Sequence, residues 1–304
     1  MKDLKDTLQR RRRNAPRQPL HDIVFRNKDV ELLRFIHLYG GMLTTDIIFE
    51  YVTLEGLYKN KRCMSYRLRD LYHAGYLDRP TGQRRIEYPE RYNLVHRVSE
   101  KGEAILKDRG LFSPFAPRPY GAYEHQMMTA CLYASYYLHA RKAGFGFTAQ
   151  HELLGKLNRN ASIVVADKNV TPDALFILTK DGKDVLIFLE ADRATESGHS
   201  TDDKRKSWGR SVEQYKDIVG GKRYKEHYGV ASTCGAQVHV VTISASMQLK
   251  IIRQIQRVMP EGCNYILTHA TNAFGDNSHP SLFIPILFTE WDRWGATPFQ
   301  FLKT

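Results

Sequence analysis

Two apolar runs joined by one tight turn limit what this chain can fold into more than any other feature. They are Thr171-Pro172-Asp173-Ala174-Leu175-Phe176-Ile177-Leu178 and Asp184 to Asp192, with Thr179-Lys180-Asp181-Gly182-Lys183 between them. Asp-Gly between apolar strands is the signal of a two-residue type I′ hairpin, because both loop positions need positive φ. With Asp181 and Gly182 as the loop, Lys180 faces Lys183 and each earlier residue pairs in step, which sets Asp173 opposite Glu190. Opposed residues share a face, and the two-residue alternation keeps Asp192 on the side of Glu190. The hairpin alone thus predicts three carboxylates, Asp173, Glu190 and Asp192, at one end of two strands. Both strands are apolar on both faces up to that point, which marks them as interior to a sheet.

Like charges opposed at the edge of a buried sheet are destabilising unless a cation neutralises them. Hard oxygen ligands in this pattern suit Mg2+ or Mn2+. The competing reading is a structural cluster tied up by Arg193 or a nearby lysine, and the residues leave both open.

The first hundred residues follow a different order. Residues 1–20 carry Arg10-Arg11-Arg12-Arg13 and Arg17 between prolines, a basic arm that either tracks DNA or is a solvated tail. Within 21–110, Leu32, Leu33, Phe35, Ile36 and Tyr39 recur at helical spacing up to Gly40-Gly41. Thr44-Thr45-Asp46 opens a second helix, and a third runs from about Lys61 to Ala74, stopped by Gly75. A Pro80-Thr81-Gly82 turn, a basic loop, a strand at Tyr92–Val95 and a closing helix from Ser99 follow. That order predicts a winged helix-turn-helix. On a helical wheel Met64, Leu68 and Leu71 share the core face, while Arg62, Tyr66, Arg69 and His73 look outward. A DNA-reading helix needs outward donors able to reach guanine edges and phosphates. Arg79, Arg84, Arg85 and Arg91 fall where a wing would graze the neighbouring backbone. The plainer alternative is a protein-interaction module with a solvated basic face.

The stretch 111–122, with Pro114, Pro117 and Pro119, reads as a linker. Residues 123–304 then alternate helical and strand patterns: a long helix Tyr123–Lys142, the hairpin, a helix near 209–219, strand Gln237–Ile243, helix Met247–Val258 and strand Tyr265–Thr268. This predicts a mixed α/β domain with helices flanking a central sheet.

Charge narrows the partner. The 304 residues hold 45 Lys and Arg against 33 Asp and Glu, a net +12, which attracts polyanions, nucleic acid first and anionic membrane second. The four cysteines show no CxxC pair, as expected of reduced thiols in the cytoplasm. Residues 1–14 are charged and lack a secretory apolar region, and no apolar run approaches a membrane span. A soluble, cytoplasmic chain with no membrane partner is the expectation.

Pro172-Asp173 followed by Glu190-Ala191-Asp192 on the next strand resembles the Pro-Asp…(Asp/Glu)-X-Lys signature of restriction-endonuclease-like nucleases. The resemblance implies Asp173 and Glu190 as metal ligands, with Glu124 or Glu152 from a preceding helix as a further one. Asp192 stands where the signature has lysine; Lys204 or Lys206 would be the displaced lysine. A wider likeness joins the winged-helix pattern, the helix beginning Glu124-His125, the Pro172-Asp173 strand and the run Glu190-Ala191-Asp192-Arg193-Ala194-Thr195-Glu196. Together they resemble the replication-relaxation family of plasmid and mobile-element proteins, which implies a DNA-binding protein of plasmid, phage or mobile-element type. His125, a lone histidine in a helix, reads as a satisfied structural residue.

Other chemistries lack a local signal: the sequence has no GxxxxGK[ST] loop, GxSxG elbow or HExxH helix. Tyr66, Tyr92 and Tyr136-Tyr137 invite a tyrosine-nickase reading, but 17 tyrosines make such coincidences easy and no His-hydrophobe-His triad accompanies them. The favoured function is duplex DNA binding in replication or relaxation control. One alternative is a metal-dependent endonuclease or nickase using Asp173, Glu190 and Asp192. The other is a transcriptional regulator whose inactive nuclease-like domain holds a homodimer together.

Overall fold

The computed structural model describes residues 23–84, 94–118, 121–193, 207–274 and 285–302. The first unit contains α1 (Asn27–Leu38), β1 (Met42–Thr44), α2 (Thr45–Leu54), α3 (Lys61–His73), β2 (Leu77–Asp78), the single turn α4 (Thr81–Arg84), β3 (Val95–Val98) and α5 (Glu100–Asp108). The second contains α6 (Tyr123–Lys142), β4 (Gly146–Thr148), α7 (Gln150–Leu157), β5 (Ile163–Val165), β6 (Lys168–Val170), β7 (Ala174–Lys180), β8 (Lys183–Asp192), α8 (Trp208–Tyr215), α9 (Arg223–His227), β9 (Gly235–Thr242), α10 (Ala245–Val258) and β10 (Ile266–Ala270). The chain is a mixed α/β protein.

In the first unit β3 lies between β1 and β2, antiparallel to both. Thr44 caps α2 by accepting the Ile47 N–H, and Ser99 caps α5 by accepting the Gly102 N–H, as the N-cap preference of hydroxyl side chains demands. Two details differ from the sequence reading. Val95, expected at the end of a strand, opens β3, and Pro80-Thr81-Gly82 leads into α4 instead of a simple turn. Gln83 is the cause: its amide donates to the Val95 carbonyl at 3.0 Å and accepts the Val95 N–H at 2.6 Å, docking α4 on the start of β3.

The second unit is built on a five-stranded sheet, ordered β10-β9-β8-β7-β4. β8, β9 and β10 are parallel, while β7 runs antiparallel to both of its neighbours. Asp181 and Gly182 both have positive φ, 50° and 72°, and Lys180 pairs with Lys183. The register runs in step back to Ala174 opposite Leu189. Alternate residues enter two cores. Phe176, Leu178, Ile187 and Leu189 join α6 on one face; Leu175, Ile177, Leu186 and Phe188 join α8 and α10 on the other.

α6 ties the units together. It is buried along nearly all of its length, and the core on its side runs unbroken from α1 and α2 to the sheet. Gly40 permits this approach. Its φ is +107°, and a Cβ there would lie 2.5 Å from the Ala130 Cβ on α6. Residues 111–118 are pinned: the Ser113 N–H donates to His37 Nε2 at 3.2 Å, and Gln150 Nε2 donates to the Phe115 carbonyl at 3.1 Å.

Candidate nucleic-acid interface and carboxylate site

α3 is fixed at its start and along its back. Asn60 caps it by accepting the Arg62 N–H at 2.8 Å. Met64, Leu68, Leu71 and Tyr72 are buried beneath it. Arg67 holds one flank through a two-point contact with Asp29 on α1: Nε donates to Oδ1 at 2.7 Å, and a second guanidinium nitrogen meets Oδ2. Asp29 is fully buried and also accepts the Arg26 N–H at 2.6 Å, so one carboxylate caps α1 and anchors α3.

The outer face carries the arginines that the helical period places there. Arg62, Tyr66 and Arg69 are all exposed. Arg62 Nε donates to the Tyr66 hydroxyl at 2.9 Å, and the Arg69 guanidinium lies 4.9 Å from the Tyr66 ring centroid. Tyr66 thus supports a cation on either side, one through its hydroxyl and one over its ring. His73 is half-buried rather than outward. Arg79, expected on the outer basic loop, is buried instead, with its guanidinium 4.2 Å from the Tyr72 ring centroid. Arg85 and Arg91 lie outside the described residues, as does the side chain of Arg84.

The carboxylates emerge at the end of the β7–β8 hairpin opposite its turn. Glu190 and Asp192 follow Leu186 and Phe188 on the α8 face and are buried. Asp173, just before β7, is shared between its neighbours: Oδ2 accepts the Ala191 N–H at 2.7 Å, and Oδ1 meets His125 Nε2 at 3.0 Å. The Tyr215 hydroxyl on α8 donates to Glu190 Oε1, and Thr242 Oγ1 on β9 donates to Asp192 Oδ2 at 3.4 Å. Burial first, and then the Glu190 charge, push the Tyr215 phenol well above its ordinary pKa. Tyr215 is therefore a neutral donor at physiological pH, the role a buried carboxylate needs filled.

His125 lies beside these carboxylates and is satisfied by Asp173. α6 packs on the opposite face of the sheet, but its first turn meets the start of β7. Glu124 beside it is half-buried. Glu152 is elsewhere: its Oε2 accepts the Ala149 N–H at 2.9 Å, capping α7. Arg193 is turned to the Phe274 carbonyl at 2.7 Å. Lys204 and Lys206 lie outside the described residues. Among the described residues, no three His, Cys, Asp or Glu side chains are gathered so that they could hold a metal ion. Tyr215 had no signal in the sequence: it stands 25 residues after Glu190 and arrives only through the crossover to α8.

The two units together are those of a basic mixed α/β protein, with an arginine-bearing helix face on one and a buried carboxylate cluster on the other. A family model described as Replication-relaxation matches residues 33–233, about two thirds of the chain. The chain belongs to the replication-relaxation family. No curated protein and no solved structure matches it. Among the described residues, no helix is long and apolar enough to cross a membrane.

Proposed function

We propose that this protein binds duplex DNA through α3 and acts in the replication or relaxation of a plasmid or other mobile element. One observation carries the reading: Arg62, Tyr66 and Arg69 form an exposed face opposite the buried Met64, Leu68 and Leu71. The element order α1-β1-α2-α3-β2-α4-β3, with β3 between β1 and β2 in the sheet, supports a winged helix-turn-helix whose third helix enters the major groove. The family membership supplies the replication setting, and the net +12 supplies non-specific attraction to phosphates. Band-shift titration of the full chain against plasmid-origin fragments at fixed salt tests it. Binding no tighter than to random duplex would remove sequence-directed recognition.

A second reading, a metal-dependent endonuclease, has a specific observation behind it. With α7, β5, β6 and α9 set aside as insertions, α6, β4, β7, β8, α8 and β9 run in the αβββαβ order of restriction-endonuclease-like domains, with Asp173 before β7 and Glu190 on β8. The carboxylates as arranged do not offer a ready three-ligand set for Mg2+ or Mn2+. Asp173 is already held by Ala191 and His125 and Glu190 by Tyr215, and among the described residues no third such side chain is gathered with them to hold a metal ion. No hydrolytic step is therefore assigned to a metal. Nicking of supercoiled plasmid with Mg2+ or Mn2+, lost in Asp173→Asn, would establish this activity. An uncut plasmid would leave DNA binding as the function and the cluster as structural. In that case the second unit is a candidate dimerisation body, tested by sedimentation.

A further inference from the structure

A cleft of about 310 Å³ opens where the two units meet, between α1, α2, α6, β4 and α7. Neither α3 nor the carboxylate cluster lines it. Its walls are aromatic: Tyr51 stacks on Phe35 with centroids 3.8 Å apart, and Tyr137 stands edge-on to Phe147 at 5.5 Å.

Polar groups converge on the same space. Arg34 and Arg141 both line it and stay 43% and 51% exposed. Each meets an acidic neighbour only at the long end of ion-pair range, Glu31 at 3.6 Å and Glu55 at 3.4 Å. A guanidinium has five N–H donors in a planar fork, so each keeps donors for an anion. Glu152 spends Oε2 on the cap of α7, which leaves its second oxygen as an acceptor. Beside it, His151 is held neutral because burial lowers its pKa, and its buried Nδ1 has no hydrogen-bond partner. A buried polar atom without a partner is uncommon in a finished site.

We infer that this cleft binds a single nucleotide, with the base among the aromatic walls and the phosphate on Arg34 and Arg141. Aromatic rings take any base by stacking, and paired guanidinium forks match a phosphate. The Glu152 carboxylate accepts from an exocyclic amine, which favours adenine, cytosine or guanine over thymine. The volume is at the small end of ligand sites, about 300–1,000 Å³, and suits one nucleotide rather than two. Its position between the α1–α2 pair and the sheet lets occupancy couple one unit to the other. The same chemistry is offered by a free mononucleotide and by an unpaired nucleotide at a DNA strand end.

Calorimetry of the full chain with AMP, CMP, TMP and a 5′-phosphorylated single-stranded tetranucleotide tests the inference. Saturable binding of AMP or CMP is expected, with TMP weaker. Arg34→Ala and Arg141→Ala, both at the exposed rim, should each weaken it about tenfold while the thermal midpoint stays in place. Arg62→Ala should leave nucleotide binding unchanged, so loss of duplex recognition and loss of this site are read separately. Binding of the mononucleotide alone identifies a free effector, and binding of the tetranucleotide alone identifies a strand end. No saturable binding of any probe at about 1 mM would overturn the inference. So would wild-type affinity in both arginine variants.

Discussion

Three arginines on α3 differ in what they touch, and alanine at each should separate holding the helix from reading DNA. Arg67 places two nitrogens on the two oxygens of Asp29, whose side chain is fully buried. Truncating Arg67 removes both of those donors and leaves the carboxylate in the core, held by the Arg26 N–H. Breaking a buried pair from one side costs about 3–5 kcal/mol. At about 2–4 °C per kcal/mol for a chain near this size, the midpoint should fall by roughly 10 °C. Among the described residues Arg62 is held by Tyr66, and Arg69 by Tyr66 and the partly exposed Asp70, so their removal should leave the midpoint in place. Their cost should appear on DNA instead: removing an arginine that reads a guanine should weaken specific binding about tenfold or more. Thermal melts and band shifts at one salt concentration, run on all three variants, provide the assay. Wild-type affinity in both Arg62→Ala and Arg69→Ala would refute the recognition face. An unchanged midpoint in Arg67→Ala would refute the buried anchor.

Tyr215→Phe removes the hydroxyl that donates to buried Glu190 and should cost about 1–3 kcal/mol in urea unfolding; a neutral result would mean Glu190 is satisfied without it. His139 and His239 are buried and shifted down to about 4 and about 3, so their neutral forms stabilise the fold. That stability is fully present above the unfolded pKa of about 6.5 and is lost as pH falls towards the folded values, about 2 kcal/mol for each by pH 5. A flat stability between pH 7 and 5 would contradict it. Deleting residues 1–19, which lie outside the described residues, should flatten the salt dependence of DNA binding by roughly 0.9 in log–log slope for every phosphate the arm neutralises. An identical slope would make the arm a solvated tail. If Asp173, Glu190 and Asp192 rearrange to take a cation, Mn2+ should raise the midpoint of the wild type and not of Asp173→Asn. Equal midpoints with and without Mn2+ would leave the cluster metal-free.

Much of the candidate chemistry was legible because it is set by short stretches of chain. The register that runs from Lys180 opposite Lys183 back to Ala174 opposite Leu189 depends on Asp181 and Gly182, whose left-handed conformations set the hairpin closure. The outward set on α3 follows from the helical period over thirteen residues. β5 and β6 escaped notice because their turn is Ala166-Asp167, with φ of 45° and 63°, and alanine carries no signal for that conformation. Pro80-Thr81-Gly82 misled for a related reason: the turn residues are there, but Gln83 reaches Val95 twelve residues on.

The sequence by itself determined the register of the hairpin and the face of α3, since each rests on local backbone geometry repeated at a fixed period. The tertiary structure alone decided which groups satisfy Asp173 and Glu190. His125 comes from 48 residues before Asp173, and Tyr215 reaches Glu190 across the sheet crossover. It also decided that α6 is buried almost all round: one side packs on β1 and α2, another on the sheet. A helix clamped between two bodies has no polar face to read, so its place follows from the contacts around it and not from its own period.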